Sequence, residues 1–322
     1  MVIASKLHSA ARLLRSPGGP WEVGRAVRRN WHQWQIRRHH GRPFVWQAPS
    51  LGEFVCIPGS TTSEHLFISR ERYEEAELIW CRQWLREGDV FLDVGANIGQ
   101  FSAALAPFVG EHGRIIAVEP SPPTFNHLMT TIRTLGLKNV FAECACVNDS
   151  SGRVNFMQAR ADTSDVMASM RVNGESGDFE EIEVSAVTID DLLQKHTADG
   201  CCALVKIDIE GAEPLVLKAA GSLLRGRSMP MFVVEVHKAA LANYGLTPAD
   251  VFAAFPQDQF ELFHVHRSTS DLTPRFLYGV IYPLSDPETH KWPWYSNLLA
   301  IPKFGVFSER RRQIIPARCT GA

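Results

Sequence analysis

"VFLDVGANIGQFS", Val90 to Ser102, is the stretch that decides the fold of this chain. An apolar run carrying one acid, Asp93, is followed by Gly95 and Gly99, four apart, with Asn97 between them. An apolar, helix-like run begins next. The pattern specifies a buried strand, a sharp turn and a helix. Gly95 lets the backbone turn where a side chain would clash, and Asn97 tolerates positive φ better than most residues. The helix is expected to start near Gly99, so its free N–H groups and positive end would face a ligand.

On both sides of this stretch, strand-like and helix-like segments alternate. "GRIIAVEPS", "VFAECACV", "ALVKIDIEG" and "PMFVVEVH" read as strands, and "FELFHVHR" and "NLLAIPK" as late ones. "PTFNHLMTTIRTLG", "TIDDLLQKH", "PLVLKAAGSLL" and "TPADVFAAFP" read as helices between them. "GRVNFMQA" and "EEIEVSAV" read as an inserted strand pair around a polar loop, "RADTSDVMASMRVNGESGD". The expected fold is α/β: a Rossmann-like, mainly parallel sheet of about seven strands, helices on both faces, and a late antiparallel strand. Upstream, residues 43–70, including "HLFIS", read as short strands with turns, and Arg70 to Gly88 as a helix.

In such a sheet a ligand sits beyond the C-terminal strand ends, at the switch point. A dinucleotide needs G-x-G-x-x-G there, and a nucleoside triphosphate G-x-x-x-x-G-K-[ST]. Neither is present: position 97 is Asn, and no Lys follows Gly99. Asp93 would repel a pyrophosphate but suits an ammonium group. Glu119 ends the next strand, "RIIAVEP", where an acid can accept both ribose hydroxyls. A ligand with a cationic amino-acid end and a ribose, but no phosphate, is S-adenosylmethionine.

"LDVGANIGQFS" (92–102), "AVEPSPPTFNHL" (117–128), "LVKIDIEGAEPLVLKAAGSLL" (204–224) and "FVVEVH" (232–237) together resemble the FkbM-type methyltransferases, within the class I S-adenosylmethionine-dependent superfamily. The likeness runs from about residue 43 to 303. It implies methyl transfer from S-adenosylmethionine, usually to oxygen, on acceptors that include sugars and natural-product hydroxyls. The cofactor residues expected are Asp93, Gly95, Ala96, Asn97, Gly99 and Glu119, with Cys144 to Val147, and Cys146 in particular, flanking the adenine.

Asp208 and Glu210 alternate along "VKIDIEG", as Glu235 and His237 do along "VVEVH", so each pair is expected on one sheet face. If the strands are neighbours, three acids and a His meet beside the donor. Buried acids titrate high and suit base catalysis, so His237, Asp208, Glu210 and Glu235 are the expected catalytic group, with His237 as general base. The same acids could hold a hard cation or form a salt-linked rim with Lys206. The base is favoured and no metal ligand is assigned; no Cys/His spacing supports zinc. His264 and His266 read as structural. The rival functions are a non-catalytic S-adenosylmethionine-binding scaffold and a nicotinamide-dependent oxidoreductase.

The chain has 322 residues, 45% hydrophobic and 21% charged, with a net charge of −2. That charge is uneven. Residues 1–52 hold nine Lys and Arg against one acid, Glu22, giving +8 and leaving −10 for the rest. A basic segment on an acidic body suits an anionic partner or surface. Ile3, Leu7, Ala10 and Leu14 fall at helical spacing, with Lys6, Arg12 and Arg15 off that face, as in an interfacial helix or a transit-type peptide. Trp21, Trp31 and Trp34 read as packing residues. The division expected is 1–42 basic arm with short helices, 43–89 strands and helix packed on the core, 90–303 methyltransferase domain, and 304–322 C-terminal tail. Seven cysteines without a CxxC pair point to a reducing compartment. No secretory signal or membrane-spanning run is read. The expected location is cytoplasmic, with peripheral membrane or assembly contact through the arm. The expected partner is a small-molecule or glycan acceptor, and no nucleic acid.

Overall fold

The computed structural model describes residues 19–48, 52–69, 74–159, 179–265, 281–284 and 292–315. The helical face of Ile3 to Leu14, the polar loop 160–178 and His266 lie outside them.

The chain enters on helix α1 (Gly19–Arg38), a hairpin of β1 (Phe44–Ala48) and β2 (Gly52–Cys56), and helices α2 (Thr61–Ser69) and α3 (Glu75–Trp84). It then alternates: β3 (Val90–Val94), α4 (Gln100–Val109), β4 (Arg114–Val118), α5 (Pro122–Leu135) and β5 (Val140–Glu143). A small sheet follows, from β6 (Cys146–Val147), β7 (Gly152–Ala159) and β8 (Phe179–Val187), in the order β6-β8-β7. Next come α6 (Ile189–His196), β9 (Leu204–Ile207), α7 (Glu213–Ala219), α8 (Gly221–Arg225), β10 (Met231–His237), α9 (Lys238–Asn243) and α10 (Pro248–Ala254). The chain closes on β11 (Phe260–Val265), β12 (Ile281–Pro283), β13 (Tyr295–Pro302) and α11 (Ser308–Ile314).

Among the described residues the main sheet has eight strands, in the order β12-β11-β13-β10-β9-β3-β4-β5. Its half from β10 to β5 is parallel, and β13 pairs antiparallel with both β10 and β11. The expected seven strands are joined by one more, the three-residue β12 at the edge. The chain runs outward from β3 to β5, then returns to β9 on the other side of β3. That reversal is the switch point where ligands bind in open α/β sheets.

Both faces are covered, so the strands are apolar throughout rather than alternating. Phe91, Ile115, Leu204, Met231 and Val233 pack on one face with Leu78, Leu105 and Leu128 of α3, α4 and α5. Leu92, Ile116, Val205, Phe232 and Val234 pack on the other with α6, α7 and α10. The buried polar residues Asp93, Lys206 and Glu235 fall on the first face: Asp93 lies opposite Lys206 in the register, and Glu235 opposite Asn297. Trp84 fixes α3 to this face, its indole N–H donating to the Ala203 carbonyl at 2.6 Å.

Several local readings change. "HLFIS" is helical, within α2; five mostly apolar residues cannot separate a strand from a buried helix by periodicity. "VFAECACV" splits between two sheets, and "PLVLKAAGSLL" breaks at Ala220 into α7 and α8. Among the described residues, the basic segment carries a 20-residue helix, Gly19–Arg38. No helix among the described residues is long and apolar enough to cross a membrane.

Candidate active site

A cleft of about 370 Å³ lies over the C-terminal ends of β3, β4, β9 and β10. Its walls contain Gly95, Ala96, Asn97, Glu119 and Cys146, and also Asp208, Glu210, Glu235 and His237. Nine of the sequence-predicted residues therefore share one cavity. Asp93 and Gly99 are not among the residues that line it.

The β3–α4 turn is shaped by sterics. A Cβ on Gly95 would stand 1.8 Å from the Asp208 carbonyl oxygen, and one on Gly99 2.7 Å from Leu128 Cδ1. Asn97 takes the left-handed region at φ 51°. All five amides of the turn are used inside the protein. Gly95 N–H and Ala96 N–H donate to the Val118 carbonyl, and Gly99 N–H donates to that of Ala96. Asn97 N–H donates to Glu119 Oε2 at 3.1 Å, and Ile98 N–H to Asn97 Oδ1 at 2.8 Å. These bonds leave residues 95–99 no free amide, so the turn itself offers no phosphate cradle. It presents a carboxylate instead. Glu119 is nearly buried and also accepts from Ser121 N–H at 2.9 Å. These two backbone donors fix its orientation, and a carboxylate has about four acceptor sites in all.

Asp93 works from beneath. Its Oδ2 accepts from Ser102 Oγ at 2.7 Å, while Oδ1 is buried with no hydrogen-bond partner among the described residues. Burial pushes its pKa up, and Lys206 opposes that. Lys206 itself is buried, donates to Asp208 Oδ2 at 2.9 Å and lies over the Phe101 ring at 5.0 Å. Burial acts against its charge, but Asp208, Asp93 and Glu74 outweigh it and hold the ammonium. A cation within the buried strand "LVKI" was the visible signal for this residue; the sequence reading gave it only a rim role.

At the other end, β9 and β10 are parallel neighbours, as the expected cluster required. The means differs from strand alternation. β9 stops at Ile207, and Asp208 to Gly211 form a turn in which Glu210 adopts φ 56°. Glu213 braces that turn, accepting from Ile209 N–H at 3.0 Å and Gly211 N–H at 3.1 Å. Burial raises the Glu213 pKa to about 7. Burial also raises Glu210, against the pull of its His237 contact. Glu235 is pushed well up by burial first and then by Asp208, Glu210 and Glu213. Its Oε2 has no hydrogen-bond partner among the described residues. His237 Nδ1 stands 3.9 Å from Glu210 Oε2, and its ring packs edge-on against Tyr295. One ligand-type atom from each of Glu210, Glu235 and His237 falls within 4.8 Å of the others.

Sequence reasoning missed Glu74, Thr62, His65 and Tyr295, which complete the walls. They come from distant segments and carry no local motif. His264 is structural as read, with Nε2 at 2.9 Å from Ser296 Oγ.

A parallel sheet with a phosphate-free turn, an oriented acid on the next strand and a polar cluster across the switch point defines a Rossmann-like methyltransferase domain. The Methyltransferase FkbM domain matches residues 93–262, just over half of the chain. The chain belongs to the FkbM methyltransferase family, whose methyl donor is S-adenosylmethionine. It is 33% identical over 72 residues to a protein-L-isoaspartate O-methyltransferase of Methanococcus aeolicus. That match covers 22% of this chain and 32% of the relative, about a third of the relative's length. Similar solved structures include an S-adenosylmethionine-dependent O-methyltransferase of Thermotoga maritima, at 11% identity and TM-score 0.39, covering 81% of this chain and 77% of that one. An rRNA methylase of Streptococcus thermophilus has 10% identity and TM-score 0.39, covering 71% of this chain and 95% of that one.

The cleft's residues fit the donor. The turn spends its amides internally, Glu119 faces the cavity with a fixed carboxylate, and acids beside Gly95 offer a partner for a cation. The volume lies in the range of small-ligand sites.

Proposed function

We propose that the protein is an S-adenosylmethionine-dependent O-methyltransferase acting on a hydroxyl of a sugar, glycan or natural-product-like acceptor. The observation that carries this reading is one cleft that joins the β3–α4 turn and Glu119 to the cluster of Asp208, Glu210, Glu235 and His237. Bound there, S-adenosylmethionine supplies an electrophilic methyl group.

The chain's own residues do the rest. Glu119 takes the ribose hydroxyls, and Cys146 with Ala145 and Val147 flanks the adenine. Gly95, Ala96, Asn97 and Gly99 shape the turn, while Asp93 acts indirectly by holding Lys206. The acceptor oxygen would take the methyl group as the donor's sulfonium S–CH3 bond breaks, leaving the thioether, and would give its proton to His237. Glu210, 3.9 Å from the ring, then stabilises the imidazolium. Glu235, whose pKa burial and the neighbouring acids Asp208, Glu210 and Glu213 push well up, limits the negative charge beside the acceptor.

In this reading residues 90–303 form the catalytic domain, 43–89 pack on it, 1–42 are a basic segment and 304–322 a tail. A reducing, cytoplasmic setting accords with six free cysteines among the described residues. Incubation with methyl-labelled S-adenosylmethionine and a panel of hydroxylated acceptors tests the activity. Label should move to an acceptor oxygen. Tight donor binding with no transfer across the panel favours the scaffold reading.

A further inference from the structure

Helix α1 presents two unlike faces. On the inner one, His32 packs against the Phe67 ring of α2, and Ile36 packs on the core. Arg28 Nε donates to the Ile68 carbonyl, and Arg29 pairs with Glu64 at 3.5 Å. The outer face carries Val27, Trp31 and Trp34, which are 62%, 37% and 46% exposed. Their i, i+4, i+7 spacing puts them in one stripe. Arg38 continues it, its guanidinium 5.3 Å from the Trp34 ring. Arg37, Arg38 and Arg42 are all exposed at this end. Six arginines and no acid occur between residues 23 and 52, although the whole chain is net negative.

Exposed tryptophans in line with arginines suit a lipid–water interface. The rings sit at headgroup depth while the cations meet anionic lipid. Phosphate-binding alone would not call for an apolar stripe. We propose that the outer face of α1 is a docking surface for an anionic bilayer. The helix packs on α2, which lines the cleft through Thr62 and His65, so docking holds that wall of the cleft near the interface.

Sedimentation of the full chain with phosphatidylcholine vesicles containing phosphatidylglycerol, and with pure phosphatidylcholine vesicles, tests this. The protein should pellet with the anionic vesicles only and be released by salt. Trp31→Ala with Trp34→Ala should lower partitioning roughly tenfold or more. Trp31 touches Phe67, so Trp34→Ala alone, and Arg37→Gln with Arg38→Gln, give versions of the test that leave that contact intact. All three variants should keep the parent's affinity for S-adenosylmethionine. The proposal is overturned if the parent never pellets with anionic vesicles. It is equally overturned if every variant pellets like the parent, which assigns binding to residues 1–18. It also fails if light scattering shows a dimer that the tryptophan variants convert to monomer, which makes the stripe a self-contact.

Discussion

At the end of the cleft assigned to the donor, the Asn97 and Ser121 amides hold Glu119, and the other four turn amides donate to Val118, Ala96 and Asn97 Oδ1, by hydrogen bonds of ordinary length. At the other end, Glu210 and Glu235 are held high in pKa by burial and like charge, and Glu235 keeps an unpartnered oxygen. The first end is rigid and electrostatically settled. The second gathers acids whose raised pKa values favour the protonated form, an arrangement suited to proton transfer. Lys206 lies between them, paired with Asp208 and held charged in part by Asp93.

The largest effect that would break this contrast is steric. Gly95→Ala drives a Cβ to 1.8 Å from the Asp208 carbonyl, at φ 77°. A loss on the order of 4 kcal/mol or more is expected, and chemical denaturation measures it. A folded, donor-binding alanine variant would show that the turn is softer than described.

Next in size is His237→Ala. Turnover should fall by roughly 10²–10⁴-fold and the pH–rate profile should lose a limb. Unchanged pH dependence in an active variant removes His237 from the base role.

Glu213 sharpens the contrast through stability. Its folded pKa of about 7 lies above the 4.5 of the ordinary carboxyl, and burial is the cause. The native state therefore keeps a proton that the unfolded chain loses between those two values. Stability should fall as pH rises through that window, by on the order of 3 kcal/mol from this residue. Asp93, Glu210 and Glu235 act in the same direction. Glu213→Gln keeps an acceptor for the two turn amides and should flatten the slope seen in denaturation at several pH values. An unaltered slope means Glu213 titrates normally.

The smallest effect concerns metal. Glu210, Glu235 and His237 stand close enough to share a cation, yet the proton-transfer reading needs none. Chelator should leave turnover unchanged. Loss on chelation with recovery on adding a divalent ion would turn the base into a ligand set.

The turn end of the cleft was legible in the sequence because its signals are local. Gly95, Asn97 and Gly99 each answer a steric demand within one turn, and Glu119 follows at the next strand tip. The clustering of Asp208, Glu210, Glu235 and His237 was legible, but not the way they meet. Alternation predicted a shared strand face, whereas the chain leaves β9 before Asp208 and re-aims Glu210 through a left-handed backbone that Glu213 braces. Glu74, Thr62, His65 and Tyr295 were illegible because tertiary packing alone brings them to the cleft.

The division of the cleft is tested most directly by calorimetric titration of S-adenosylmethionine into two folded variants. Glu119→Ala should lose charge-assisted hydrogen bonds worth roughly 1.5–3 kcal/mol, about ten- to hundredfold in affinity. His237→Ala should bind the donor as the parent does. Parent-like binding by Glu119→Ala, or a comparable loss in His237→Ala, would contradict the assignment of donor and chemistry to opposite ends.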